Sequence, residues 1–113
     1  MKSPITTHVL DTSLGKPAAG VAVQLDRLAD GEWLPVAQGT TDTDGRIMNL
    51  LPADQPLPSA TYRLTFLTAD YFRLTKRESI YPRICVEFNV STGQHYHIPL
   101  LVSPFGYTTY RGS

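Results

Sequence analysis

The chain has 113 residues, 42% of them hydrophobic, which is enough for one hydrophobic core and too little for two. Its formal net charge is zero and no charge run exceeds Lys76-Arg77-Glu78, so there is no electrostatic case for a nucleic-acid partner or an anionic membrane surface. A single cysteine, Cys85, excludes an intramolecular disulfide framework and a multi-cysteine zinc site. No apolar stretch approaches membrane-spanning length and no heptad repeat is present. The opening Met1-Lys2-Ser3-Pro4-Ile5 lacks the apolar core of a secretory signal. The chain as given therefore reads as cytoplasmic, a reading that leaves room for a processed periplasmic or peroxisomal form.

Nine prolines and eight glycines punctuate the sequence and leave little room for long helices. Ile5 to Asp11 is predicted as a first strand, followed by a turn at Gly15-Lys16-Pro17. Val21, Val23 and Leu25 then alternate with Ala22, Gln24 and Asp26, the period-two pattern of a half-buried strand. Asp30-Gly31 marks a tight hairpin turn, with Trp33 to Gln38 returning as its partner. Thr41-Asp42-Thr43-Asp44-Gly45 is a second polar turn, leading into a short strand at Arg46-Ile47-Met48.

The stretch from Pro52 to Pro58 reads as a loop, after which Tyr62, Leu64 and Phe66 alternate again. Thr68 to Lys76 is the one predicted helix, about two turns long, with Thr68 as its N-cap. Ile84, Val86, Phe88 and Val90 form an alternating strand that turns at Ser91-Thr92-Gly93. Tyr96, Ile98, Leu100 and Val102 form another, and Phe105 to Arg111 the last. Eight short strands at this spacing predict an all-β sandwich, a single domain spanning 1–113.

Alternation also assigns faces. With Tyr96, Ile98 and Leu100 on the core side, His95, His97, Pro99 and Leu101 point outward. His8 shares a face with Thr6 and Leu10, opposite Ile5, Thr7 and Val9, but neither face of that strand is cleanly apolar, so its orientation stays open. In the last strand Phe105, Tyr107 and Thr109 are assigned to the core and Tyr110 to the other face. An outward face bearing Leu10, Pro99, Leu101 and Tyr110 beside two histidines is too apolar for plain solvent surface and predicts a covering subunit.

Taken singly, none of the polar residues marks a site. His95 reads as a surface side chain beside a turn. His-x-His can hold a metal from one strand face, but no third ligand follows at a suggestive spacing, so no metal is expected. Arg46 alone is a turn arginine. Cys85 points away from the core with no basic neighbour that would activate it, and Ser113 follows no nucleophile elbow.

Three segments together say more. Thr7-His8-Val9-Leu10-Asp11-Thr12-Ser13-Leu14-Gly15-Lys16-Pro17-Ala18, Thr43-Asp44-Gly45-Arg46, and His95-Tyr96-His97-Ile98-Pro99-Leu100-Leu101-Val102-Ser103-Pro104 with the closing Tyr110-Arg111-Gly112-Ser113 resemble the transthyretin-related family of hydroxyisourate hydrolases along nearly the whole chain. The resemblance implies a sandwich of two four-stranded sheets with one short helix, assembled as a homotetramer, a dimer of dimers with active sites in the channel between dimers. It implies hydrolytic opening of 5-hydroxyisourate, without cofactor or metal. His8, Arg46, His97 and Ser113 are the catalytic candidates it implies, and Tyr110 joins His8 and Arg46 in holding substrate. The hormone-carrying branch of the family lacks the histidine pair and the closing tetrapeptide, so a carrier of an aromatic ligand ranks second. Ile80 departs from the family, where an aromatic is common before Tyr81-Pro82.

Overall fold

The alternating segments become two packed sheets in the computed structural model, which describes residues 3–113. In chain order they are β1 (Ile5–Asp11), β2 (Lys16–Pro17), β3 (Ala22–Ala29), β4 (Glu32–Thr40), β5 (Arg46–Ile47), β6 (Ala60–Phe66), α1 (Thr68–Leu74), β7 (Ile84–Val90), β8 (Tyr96–Ser103) and β9 (Gly106–Thr109). One sheet runs β4-β3-β6-β7, all antiparallel. The other runs β2-β1-β8-β9, with β5 also paired to β1. The inward residues of the first are those that alternation selected: Val23, Leu25, Tyr62, Leu64 and Phe66 are all fully buried.

At the β3–β4 hairpin, Asp30 and Gly31 both take positive φ, 52° and 79°. That is the twist a two-residue hairpin loop requires, which is why an Asp-Gly pair sits there.

Several boundaries differ from the sequence reading, each for a tertiary reason. Lys16–Pro17 is a short strand rather than part of a turn, because it returns along the edge of β1 against Leu10 and Asp11. The helix ends at Leu74 and its N-cap position is Leu67, not Thr68. Thr68 is instead the first helical residue, fully buried with no hydrogen bond to its hydroxyl, so its packing overrode its capping preference. The last strand stops at Thr109, and Phe105 and Tyr107 are 65% and 45% exposed rather than in the core. Phe105 lies in the turn before β9, and Tyr107 lies on β9, the edge strand of its sheet. Tyr107 packs edge-on against Tyr81 at 5.3 Å between ring centroids.

The orientation that alternation left open for β1 is settled by burial. Ile5, Thr7, Val9 and Asp11 face inward, while His8 and Leu10 are only half-buried on the other face. Asp11 is a fully buried carboxylate and needs compensation. It accepts hydrogen bonds from the Tyr71 hydroxyl at 2.7 Å, the Ser13 hydroxyl at 2.9 Å and the Leu14 N–H at 3.2 Å, and forms an ion pair with Arg77. Burial alone would raise the Asp11 pKa, but these donors, Arg77 foremost, outweigh it and hold the carboxyl well below the usual range. Burial and donation to Asp11 together push the Tyr71 phenol up to about 12. The cluster ties the end of β1 to α1 and to the segment after it.

Asp11→Asn removes the charge and strands Arg77, so it should cost about 3 kcal/mol. Thermal unfolding at neutral pH should show a Tm loss on the order of 10 °C. Because the folded-state pKa lies below the ordinary 3.8, the stabilisation is complete above that value and fades as pH falls beneath it. The gap between wild type and variant should therefore close in acid; a gap that stayed constant down to the acid limit would show that the charge contributes nothing.

Candidate active site

The catalytic candidates come from segments far apart in sequence that lie side by side in one sheet. Strand β1 pairs antiparallel with β5, setting His8 directly opposite Arg46. On its other edge β1 pairs parallel with β8, setting Thr6 opposite His97 and His8 opposite Pro99. Directly paired residues present their side chains to the same face, so Arg46, His8 and His97 share the outward face. The parallel β1–β8 pair joins the two ends of the chain, which is how the first and last motifs meet.

Arg46 is delivered by a tight turn. Asp42 Oδ1 accepts from the backbone N–H groups of Asp44 at 2.9 Å and Arg46 at 3.0 Å, an Asx-type turn that explains the Asp-Thr-Asp-Gly run. Gly45 has φ +74°, and a Cβ there would lie 2.4 Å from the Val9 carbonyl oxygen, so only glycine lets the turn press against β1. The Val9 N–H donates to the Gly45 carbonyl at 2.7 Å across this contact. Arg46 itself is exposed, with its guanidinium available to a ligand on the face.

His8 is half-buried. Its pKa is lowered, first by burial and then by the positive charge of Arg46; a backbone hydrogen bond at Asp44 and the carboxylates of Asp42 and Asp44 pull the other way without prevailing. The shift favours the neutral form of the His8 ring. His97 is also half-buried, with Nδ1 2.7 Å from the hydroxyl of Thr6.

The C-terminal tail returns over β8. The Gly112 N–H donates to the His97 carbonyl at 2.8 Å, forming an isolated antiparallel bridge. A Cβ at Gly112 would lie 2.7 Å from His97 Cδ2 and 3.2 Å from Pro99 Cγ, so the tail passes directly over both side chains. This explains why Pro99, on the outward face, is nonetheless buried. Arg111 holds the tail down: its guanidinium lies 4.3 Å from the Tyr96 ring centroid and donates to Gln94 Oε1 at 3.2 Å and the His95 carbonyl at 3.1 Å. Ser113 is exposed one residue beyond the bridge, and Tyr110 is 56% exposed just past β9.

Two residues at the site escaped the sequence reading. Thr6 is fully buried, with its hydroxyl against His97, and His95 is half-buried rather than a free surface side chain. His95 Nδ1 donates to the Ser3 carbonyl at 2.9 Å, and its Nε2 lies 3.3 Å from the same Thr6 hydroxyl. Alternation put Thr6 on the His8 face and His95 on the His97 face, but linking them required the β1–β8 pairing. The two histidines of His-x-His meet at a hydroxyl, and among the described residues no three metal-ligating side chains are grouped to hold an ion.

Comparison with known proteins places this arrangement in context. A family model described as HIUase/Transthyretin family matches residues 5–112. A 5-hydroxyisourate hydrolase from Salmonella dublin is 46% identical over 110 residues, covering 96% of this chain and 80% of the relative. The solved 5-hydroxyisourate hydrolase of Klebsiella pneumoniae is 40% identical with a TM-score of 0.85, covering 96% of this chain and 98% of its own. Sea bream transthyretin, solved in complex with thyroxine, is 35% identical with a TM-score of 0.90, covering 96% and 94%. Backbone similarity thus embraces a 5-hydroxyisourate hydrolase and a transthyretin with thyroxine bound, so fold alone does not fix function.

Proposed function

Because the chain belongs to the HIUase/transthyretin family, we propose that it is an enzyme of urate degradation that hydrolyses 5-hydroxyisourate to 2-oxo-4-hydroxy-4-carboxy-5-ureidoimidazoline. The observation that carries this is the register of β5, β1 and β8, which places Arg46, His8 and His97 on adjacent strands of one sheet face. Water adds to the C6 carbonyl of the six-membered ring and the C6–N1 bond breaks. A proton leaves the water, negative charge develops on the carbonyl oxygen, and a proton reaches the departing nitrogen.

His8 and His97 perform the proton transfers. Their positions two strands wide beside one guanidinium allow one to accept a proton while the other supplies one. Arg46 forks onto the carbonyl and ring-nitrogen edge of the substrate and stabilises the oxyanion. Tyr110 contacts substrate from the end of β9, and Ser113 orients the histidines or the water. The exposed apolar groups around the site, with half-buried Leu10 and Leu101, are covered in a homotetramer whose inter-dimer channel holds the site.

The direct test is the ultraviolet decay of freshly generated 5-hydroxyisourate, expected to be far faster with the protein than without. Decay at the spontaneous rate, together with micromolar thyroxine binding, would favour a carrier instead. A pH profile tests the roles of His8 and Arg46. The lowered His8 pKa places the titration of its own ring below pH 6.5, its ordinary value. Arg46→Gln removes a charge that depresses that pKa, so a ring-proton titration of His8 should move upward in the variant. An unmoved titration would mean that Arg46 does not act on His8 electrostatically.

A further inference from the structure

The hydroxyl of the fully buried Thr6 touches two imidazoles, His97 Nδ1 at 2.7 Å and His95 Nε2 at 3.3 Å. A hydroxyl has one proton, so in a bond to each it donates to one nitrogen and accepts from the other. The direction is decided one step away. The Ser3 carbonyl, 2.9 Å from His95 Nδ1, can only accept, so Nδ1 of His95 carries a proton. Neutral His95 then has its lone pair on Nε2, and the Thr6 proton is directed there. Thr6 Oγ1 is left to accept from Nδ1–H of His97, and this places the His97 lone pair on Nε2.

We propose that Thr6 and His95 are positioning residues that act through Nδ1 of His97 and hold it in the tautomer whose Nε2 accepts a proton. The inference rests on the hydrolase reading above for its catalytic consequence, while the order of protons follows from the hydrogen bonds with His95 in its neutral form. Neither Thr6 nor His95 needs to touch the substrate. Their effect is to remove the tautomeric choice that an isolated neutral imidazole has, and to fix the ring plane. The outer-partner logic is that of a histidine oriented by a carboxylate, with a threonine hydroxyl and a carbonyl-anchored second histidine in the carboxylate's place.

Thr6→Val and Thr6→Ser separate this role from packing, because Val keeps the shape without the hydroxyl and Ser keeps the hydroxyl. Two readouts are needed: steady-state kinetics with 5-hydroxyisourate, and nitrogen NMR of the imidazoles in 15N-histidine-labelled protein, where only three histidines need assignment. Wild type should show His97 as the Nδ1–H tautomer. Thr6→Val should lose roughly 10–100-fold in kcat with KM within about twofold, and its His97 should populate both tautomers. Thr6→Ser should keep the tautomer and most of the rate. An Nε2–H tautomer for His97 in wild type would overturn the proposal, as would unchanged kcat in Thr6→Val or a Ser variant no better than Val. The wild-type spectrum needs no variant to fold. A protein that left hydroxyisourate untouched while showing the Nδ1–H tautomer would refute the hydrolase reading and leave the proton order standing.

Discussion

Replacing His97 by Asn should lower kcat for 5-hydroxyisourate by ~10²–10⁴-fold, the range that a positioned proton-transfer group supplies. The substitution is chosen for what it retains. The amide nitrogen of Asn falls near the place of imidazole Nδ1, so the 2.7 Å contact with Thr6 can be kept. The backbone bridge to Gly112 uses the carbonyl of residue 97 and is indifferent to the side chain. What disappears is a second ring nitrogen able to take up and release a proton. His97 is half-buried, so the cost in stability should be modest, and circular dichroism with thermal unfolding would show it. A His97→Asn protein within about threefold of wild-type kcat would remove His97 from the chemistry, since even a weak general base contributes ~10²-fold. His8→Asn, measured alongside, apportions the proton transfers between the two.

Deleting Arg111-Gly112-Ser113 should reduce turnover by at least ~10²-fold while the fold survives, because small displacements of a catalytic group carry penalties of that size. Among the described residues the tail is held by the Gly112–His97 bridge, the Arg111 stack on Tyr96, and the Arg111 bonds to Gln94 and the His95 carbonyl. Their loss should cost on the order of 1–3 kcal/mol, since each hydrogen bond contributes about 1 kcal/mol net. No core residue belongs to the deleted segment. The deletion does uncover Pro99 and free one side of the His97 ring, over which Gly112 now lies. Gly112→Ala provides the same test without shortening the chain, because its Cβ would sit 2.7 Å from His97 Cδ2 and one of the two must move. Residues fused after Ser113 crowd the face where the tail lies over His97 and Pro99, and should be as harmful as the deletion. If a C-terminally tagged protein matched one tagged at Met1, Ser113 would have no role, and an active Gly112→Ala variant would release the tail from positioning His97.

Much of the sandwich was legible because alternation is a local property. Whether Val23, Leu25, Tyr62, Leu64 and Phe66 face inward depends only on the period of two along their own strands, and all five are buried as the pattern required. Turn chemistry is equally local, and Asp30-Gly31 and Asp44-Gly45 mark their turns without help from the rest of the chain. Edges are not local. Phe105 and Tyr107 carry the pattern of core residues, yet Phe105 falls in the turn before β9 and Tyr107 on a strand at the margin of its sheet, and both are exposed. Thr68 has the chemistry of an N-cap but is drawn into the interior at the first turn of α1.

The candidate residues of the site could be named from the chain and grouped through its resemblance to a family; their strand pairing and register could not. The amino-acid order determined that His8, Arg46, His97 and a glycine-serine end exist, and that each histidine has a face. Only the tertiary structure decided that β1 lies parallel to β8, in a register that puts Thr6 against a residue 91 positions away. That pairing brought His95 to the Thr6 hydroxyl, while the tail bridged to His97 buried Pro99. The reason is that a strand's period states which way a side chain points, whereas its neighbour and register come from long-range closure of the core, and proton order follows only when those neighbours are in place.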